Sequence, residues 1–128
     1  KDRDGVPLRI CKFIVPNQSS PVIQFTLNFD GPTGMATFDP YFVPRMTTSG
    51  SFSFELELKR QSDGAFVSLG STTVNNAYKV IAARDQPAST FLDANGAGTS
   101  RIKIRQTGPS GSSSYCFEMD QAVTVMYP

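Results

Sequence analysis

Hydrophobic and polar residues alternate with a period of two along much of the chain. Residues 22–29, 51–60 and 101–105 each place apolar side chains on one face and polar or charged side chains on the other. This alternation is typical of antiparallel strands with one buried and one solvated face. No segment keeps a 3.6-residue period over ten residues, so the pattern does not favour helices.

Shorter or less regular apolar runs add further strands to this set, at residues 8–15, 65–70, 77–82, 89–92 and 115–127. Eight or nine short strands that follow one another closely along the chain are typical of a sandwich or jelly roll. With no linker long enough to divide the chain, we predict one all-β domain over residues 1–128, an antiparallel β-sandwich of jelly-roll type. Polar residues 1–7 are expected to form a flexible or extended N-terminal arm.

Two local features predict details of strand pairing. The turn residues Gln61-Ser62-Asp63-Gly64 predict a hairpin between the runs at 51–60 and 65–70. In the last run the polar side chain of Gln121 interrupts the apolar row, which predicts a bulge or bend near Asp120.

Composition excludes several classes of function. The 12 basic and 11 acidic residues give a net charge of +1, so no basic excess is available for nucleic acid. No apolar run has the length of a transmembrane helix, and we expect no membrane insertion. The chain has no His, the commonest general base and a common zinc ligand, and its two Cys cannot form an all-cysteine metal site. We therefore expect neither catalysis nor a cofactor.

The two cysteines lie in the first and last predicted strands, at Cys11 and Cys116. Terminal strands often lie near each other in Greek-key sandwiches, so we predict a disulfide, with two separate buried thiols as the alternative. A bond would indicate an oxidising compartment, and the expected location is extracellular, secreted or on a virion surface. Because the chain begins at Lys1 rather than Met, we expect a processed product or an excised domain.

The segment 38–45 combines two prolines with three aromatic residues. Pro40 and Pro44 argue against a regular central strand, so we predict a stiff loop. Aromatic rings on such a loop bring contact area at a low entropy cost, and we expect Tyr41, Phe42 and Arg45 to form the contact surface. The alternative is a loop that folds back and caps one end of the sandwich.

Two clusters of charged or polar residues have a structural and a functional interpretation. Asp93 and Asn95 resemble the opening of a calcium loop, but the third Asp or Asn and the distal Glu are missing, so a Gly-rich turn is expected. The stripe of Arg101, Lys103 and Arg105 could meet an anionic glycan or a lipid headgroup. We predict instead that it pairs across strands with acidic side chains, those of Glu55 and Glu57.

The closing run places acidic residues before an apolar alternation, as Phe117-Glu118-Met119-Asp120 followed by Val123 and Val125. Together with the alternating strands and Gly/Ser-rich loops, this pattern resembles the jelly-roll carbohydrate-binding modules. The resemblance implies a non-catalytic sugar-binding domain, and it implies that Asp120 is the carboxylate that helps to hold a structural calcium ion. The chain departs from these modules in having no Trp and no Glu-x-Glu pair near its N-terminus.

Two functions from different classes remain open at this point. The first is a non-catalytic extracellular recognition module that binds a glycan or cell-surface ligand through loop aromatics. The second is an assembly subunit of a virion, tail fibre or extracellular filament, in which residues 1–7 lie along a neighbouring copy. The expected partner is accordingly a glycan or a protein, including copies of this chain.

Overall fold

A computed structural model describes residues 8–14, 23–47, 52–106 and 113–128 of the chain. The predicted N-terminal arm, residues 1–7, lies outside the described residues. Within them the chain forms nine strands and one helical turn: β1 (Leu8–Ile14), β2 (Ile23–Asp30), β3 (Thr37–Met46), β4 (Phe52–Lys59), β5 (Phe66–Val74), β6 (Ile81–Ala82), β7 (Gln86–Pro87), α1 (Ala88–Phe91), β8 (Ala97–Gln106) and β9 (Ser113–Tyr127).

The strands form two sheets in which every pairing is antiparallel. The first sheet has the order β1-β9-β3-β6, with the short β7 also paired to β3, and the second has the order β2-β8-β4-β5. The prediction of an antiparallel jelly-roll sandwich is thus confirmed. The first sheet is called sheet A and the second sheet B below.

The period-two alternation explains how the two sheets pack. In β4 the side chains of Phe52, Phe54, Leu56 and Leu58 are buried, as are Ile102 and Ile104 in the neighbouring β8. Phe54 lies at the centre, with its ring centroid 6.2 Å from that of Phe42 in sheet A and 6.3 Å from that of Phe117. Burial of these apolar side chains is the main force that holds the sheets together.

The predicted hairpin between residues 51–60 and 65–70 is confirmed. Strands β4 and β5 pair directly, and Gly64 takes the left-handed conformation at φ 76°. Arg60 donates hydrogen bonds to both carboxylate oxygens of Asp63, at 3.0 and 2.7 Å. Together with the backbone amide of Ala65, Arg60 lowers the pKa of Asp63 to about 2.

The prediction that residues 38–45 form a loop is wrong, because they belong to β3, an inner strand of sheet A. Two prolines are tolerated there because they lie four residues apart and direct their backbone polar groups to the same side. The carbonyl of Pro40 accepts from the amide of Ala83, and that of Pro44 accepts from Lys79, both in the segment that contains β6. On the other side β3 keeps its full ladder with β9.

The missing proline amides also explain why β3 has only short strand pairings on the side away from β9. The segment beside β3 forms strand pairs with it at the two-residue strands β6 and β7, and elsewhere it makes single backbone hydrogen bonds. The expectation of a strand over 77–82 is therefore correct only at Ile81–Ala82, where pairing resumes between the two prolines. The expected strand over 89–92 is also wrong, because residues 88–91 form the helical turn α1.

The predicted bulge near Asp120 is confirmed. Along the β3–β9 ladder, Val43 lies opposite Gln121 and Pro44 lies opposite Met119, so Asp120 is the extra residue. The bulge shifts the alternation of β9 by one residue. It lets Phe117 and Met119 remain in the core while Val123, Val125 and Tyr127 are exposed on the opposite face.

The predicted disulfide is also confirmed, since Cys11 and Cys116 are bonded. The two residues lie directly opposite each other in the β1–β9 ladder. Strand β1 is the edge of sheet A and pairs only with β9 among the described strands, while Leu8 and Ile10 pack against the core. The bond therefore fastens an edge strand to the interior of its sheet.

A candidate ligand-binding face on sheet A

The outer face of sheet A, which points away from sheet B, carries the candidate site. In β3 the side chains of Phe38, Phe42 and Met46 are buried in the core, so the alternate residues Thr37, Asp39, Tyr41, Val43 and Arg45 point outward. The register places Tyr41 between Ala82 of β6 and Val123 of β9. We call this surface the sheet A face.

Apolar side chains are unusually exposed on this face. Val123, Val125 and Tyr127 of β9 have 43%, 37% and 39% of their surface accessible. Tyr78 and Val80, in the segment beside β3, are exposed by 41% and 67%. These five are the exposed large hydrophobic residues of the described chain, and three of them lie on β9 and two in the segment beside β3. Exposed apolar side chains close together are a common feature of interaction sites, which makes this face the candidate.

At one end of the face, the hydroxyls of two tyrosines meet at a buried carboxylate. Asp39 is only 3% exposed, and its Oδ2 accepts hydrogen bonds from the hydroxyls of Tyr127, at 3.2 Å, and of Tyr41, at 3.4 Å. Each ring must lean along the sheet for its hydroxyl to reach this position. The two rings and the carboxylate below them are called the tyrosine floor.

A third donor completes the coordination of Asp39. The backbone amide of Asp85 donates to its Oδ1 at 2.7 Å. Asp85 has φ 58°, the left-handed conformation that is uncommon for a residue other than glycine. Arg84, the preceding residue, places its guanidinium 5.9 Å from the ring centroid of Tyr41.

The surroundings of Tyr127 perturb its hydroxyl. Partial burial, and then the hydrogen bond and negative charge of Asp39, raise the pKa of Tyr127 above its ordinary value of 10.0. The hydroxyl therefore keeps its proton to a higher pH than a free tyrosine does, and it donates to Asp39 over that whole range.

At the other end of the face, a second buried carboxylate holds two arginines. Glu118 is 8% exposed, and its Oε1 accepts from Nε and Nη2 of Arg45, at 2.8 and 2.7 Å. Its Oε2 lies 3.7 Å from Nε of Arg9 in β1. The Arg45 guanidinium also stacks on the ring of Tyr78, 4.7 Å from its centroid. Both ends of the face are thus built on a buried anion beneath more exposed groups.

The predicted contact residues separate in the structure. Tyr41 and Arg45 both lie on the sheet A face, with half-buried side chains. The expectation that Phe42 is part of a contact surface is wrong, because its side chain points between the sheets and is only 4% exposed. Since β3 is a strand, neighbouring residues point to opposite faces, and Tyr41 and Phe42 cannot share one surface.

Asp39, Tyr78 and Tyr127 were not predicted from sequence as residues of the face. Asp39 and Tyr127 belong to the tyrosine floor, and Tyr78 and Tyr127 are exposed rings. A strand interpretation of residues 37–46 would have placed Asp39 on the same side as Tyr41. The bond between Tyr127 and Asp39 joins residues 88 apart in sequence, and only the pairing of β3 with β9 reveals it.

The residues of the calcium alternative are arranged differently. Oδ1 of Asp93 accepts backbone amides from Asn95, at 2.8 Å, and Ala97, at 3.0 Å, which confirms the interpretation of this segment as a turn. Asp120 lies in the bulge of β9, in the other sheet. In the described part of the chain, no three His, Cys, Asp or Glu side chains are grouped so that they could hold a metal.

The outer face of sheet B carries the predicted basic stripe. Arg101 donates to Oε1 of Glu57 at 2.7 Å, and Lys103 Nζ lies 3.5 Å from the same oxygen. Arg101 and then Lys103 lower the pKa of Glu57. Cross-strand pairing is thus confirmed at Glu57. The guanidinium of Arg101 also lies over the ring of Phe66, 4.0 Å from the ring centroid. The positive charge of Arg101 therefore interacts with groups of its own sheet.

The sandwich also has a crevice of about 180 Å³ where the edges of the two sheets meet at β5 and β6. Its apolar lining includes Phe54, Leu56, Leu69 and Ile81. The sheet A face is the stronger candidate because it gathers rings, carboxylates and guanidinium groups on one surface. No helix among the described residues has the length and apolarity needed to cross a membrane.

Solved structures with the same fold share little sequence with this chain. A CBM4 structure is 9% identical with a TM-score of 0.56, covering 92% of this chain and 83% of that chain. The N-terminal cellulose-binding domain of β-1,4-glucanase C from Cellulomonas fimi is 11% identical with a TM-score of 0.54, covering 99% and 82%. A carbohydrate-binding module specific for non-crystalline cellulose, CBM28, is 12% identical with a TM-score of 0.52, covering 94% and 75%.

The chain has the fold of these modules. No protein-family model matches the sequence, and no curated protein does. The resemblance to jelly-roll carbohydrate-binding modules is therefore confirmed at the level of the fold.

Proposed function

We propose that the chain is a non-catalytic recognition module that binds a glycan on the sheet A face. The observation that supports this most directly is the tyrosine floor, in which Tyr41 and Tyr127 lie along the sheet beside the exposed side chains of Val123 and Val125. A flat apolar surface with polar groups at its margin suits the face of a sugar ring, which has C–H groups on its surface and hydroxyls around its rim.

The proposal moves the contact surface from a loop to a sheet. Loop aromatics on residues 38–45 were the expected anchors, but these residues form β3, and only its outward side chains are available. Polar groups flank the floor, with Arg84 beside Tyr41 and with Arg45, which is held by the buried Glu118, at the opposite end. The two guanidinium groups would supply hydrogen bonds that select one sugar over another.

The chemistry of the face supports binding rather than catalysis. Asp39 and Glu118, its two buried carboxylates, each accept hydrogen bonds from other groups of the protein. A general acid or base must reach the reacting atom within hydrogen-bonding distance, and these groups lie beneath other side chains. The disulfide between Cys11 and Cys116 supports an oxidising, extracellular location.

The neighbours of known specificity indicate which probes to use first. Two of them are described as cellulose-binding or specific for non-crystalline cellulose. Soluble cellulose derivatives and cello-oligosaccharides are therefore the first ligands to test, with xylan, mannan and α-glucan as comparisons. Affinity electrophoresis through gels that contain each polysaccharide would show retardation, and isothermal titration calorimetry would give the dissociation constant.

A matched pair of variants tests the location of the site. Tyr41→Ala removes half of the floor, and Thr26→Ala removes an exposed side chain from the outer face of sheet B. We expect Tyr41→Ala to weaken binding by about tenfold or more, since stacking rings are typical anchors, while Thr26→Ala binds as the unmodified protein does. Equal effects of the two variants would contradict the proposed site.

A further inference from the structure

Asp39 is a buried group on the sheet A face that the binding proposal does not itself require to contact the ligand. Its side chain is 3% exposed, so a ligand on the face has almost no access to it. Yet its carboxylate accepts from Tyr41 and Tyr127, which form the floor, and from the backbone of Asp85. A buried carboxylate is costly unless donors surround it, and this one has donors from three separate parts of the chain.

The three donors to Asp39 lie in different segments of the chain. Tyr41 belongs to the same strand as Asp39, Tyr127 lies near the end of β9, and Asp85 lies in the connection between β6 and β7. The conformation of Asp85 at φ 58° directs its amide to the carboxylate. A left-handed residue other than glycine persists where the surroundings over-determine it, and such residues cluster at functional sites.

We propose that Asp39 is a positioning residue for ligand binding, which fixes the rings of Tyr41 and Tyr127 in the orientation that the bound glycan contacts. The inference rests on the proposed function of the face. Without the acceptor, each ring regains rotation about its side-chain torsions and loses that freedom again on binding. We expect the loss of this preorganisation to weaken binding by about tenfold, although no atom that touches the ligand has been removed.

The first test removes the two hydroxyls while leaving both rings in place. The double variant Tyr41→Phe/Tyr127→Phe keeps the apolar floor and loses both donors to Asp39. Tyr115→Phe is the matched control, because Tyr115 packs against Phe52 away from the face. With hydroxyethyl cellulose and cellohexaose as probes, we expect about tenfold weaker binding for the double variant and unchanged binding for the control.

The second test alters the acceptor. Asp39→Ala should weaken binding as the double variant does, and combining it with Tyr41→Phe/Tyr127→Phe should add nothing, because both changes break the same bonds. Asp39→Glu, which keeps the carboxylate, should restore part of the affinity. If Asp39→Ala fails to fold, the phenylalanine variants still decide the matter, since they leave the backbone and the ring packing in place.

A readout without any glycan separates this inference from the proposed function. In ¹³C-labelled protein, the aromatic order parameters of Tyr41 and Tyr127 should be high and should fall in Asp39→Ala, while those of Tyr115 stay constant. Unchanged order, or full affinity in both the alanine and the phenylalanine variants, would overturn the positioning role and leave glycan binding intact. Fixed rings in a protein that binds no glycan would overturn the proposed function, and with it this role for Asp39.

Discussion

Replacing both Cys11 and Cys116 by serine removes the covalent link between β1 and β9. The two cysteines are separated by 105 residues, so the bond closes nearly the whole chain into one loop. In the chain-entropy account, opening a loop of this length adds disorder to the unfolded state worth about 4.8 kcal/mol at 25 °C. Small domains have a total stability of about 5–15 kcal/mol, so the double variant should lose a large part of its free energy of unfolding.

The native fold should nevertheless survive the substitution. Strand β1 keeps its seven-residue ladder with β9, and Leu8 and Ile10 remain packed against the core. Urea unfolding followed by circular dichroism would give the free energy of unfolding of the double variant, of the oxidised protein and of the protein reduced by dithiothreitol. We expect the reduced protein and the double variant to agree, and the double variant to be insensitive to the reductant.

A small effect would refute this reasoning. If the double variant lost less than about 1 kcal/mol, the unfolded state would not be constrained by the bond as the entropy account requires. Thiol titration of the unfolded, unreduced chain provides the direct control. Two reactive thiols per chain would show that the cysteines are not bonded at all.

Three further predictions follow from individual side chains. The phenolate absorbance of Tyr127 should appear above its ordinary pKa of 10.0, and the stability that its raised pKa provides should be present below about pH 10 and lost as the pH rises through that raised pKa. Asp39→Asn should lower this titration midpoint, and an unchanged midpoint would contradict the contact. Glu57→Gln should cost about 1–3 kcal/mol of unfolding free energy because the buried carboxylate accepts from Arg101, whereas a neutral result in urea unfolding would show the pair to be dispensable. Phe54→Ala should cost about 3–5 kcal/mol, because the ring is buried between the sheets, and a loss below 1 kcal/mol would contradict its central place in the core.

Local alternation was enough to predict most of the sandwich. Residues 51–60 and 101–105 have a strict period of two, so each is predicted as a strand with one buried face, and they form β4 and β8, which pair with their apolar faces on the same side. The turn around Gly64 and the bulge at Asp120 also followed from single local signals. In each case the residues that determine the structure are close together in sequence.

The prolines of β3 show where local reasoning fails. Pro40 and Pro44 each lack an amide, and whether that loss matters depends on what lies beside the strand. Here both prolines direct their backbone groups to the irregular edge next to β6, so the inner strand keeps its pairing with β9. Sequence spacing alone carries no information on that neighbour.

The same limit applied to the candidate site. Tyr41 and Arg45 were identified because prolines and aromatics crowd around them, and both lie on the sheet A face. Asp39 and Tyr127 were missed because their significance arises from a contact between distant segments. The face as a whole depends on the bulge at Asp120, which shifts the apolar residues at the end of β9 from the core side to the surface.

Self-association is the principal competitor of glycan binding for this surface. An assembly subunit would bury Val123, Val125 and Tyr127 against another copy, and the solution mass at micromolar concentration would then exceed the 13.9 kDa of one chain. We expect a monomer. A stable oligomer that dissociates when Tyr41 is replaced by alanine would instead indicate that the chain is an assembly subunit and not a glycan-binding module.

The most direct measurement of the central claim is a titration of ¹⁵N-labelled protein with cello-oligosaccharides, followed by amide chemical shifts. If the sheet A face binds the glycan, the shifted amides should cluster in Thr37–Arg45 of β3 and in Gln121–Tyr127 of β9. The amides of β2, β8 and β4, in sheet B, should not move. Shifts confined to sheet B, or an absence of shifts with every glycan in the panel, would contradict the account.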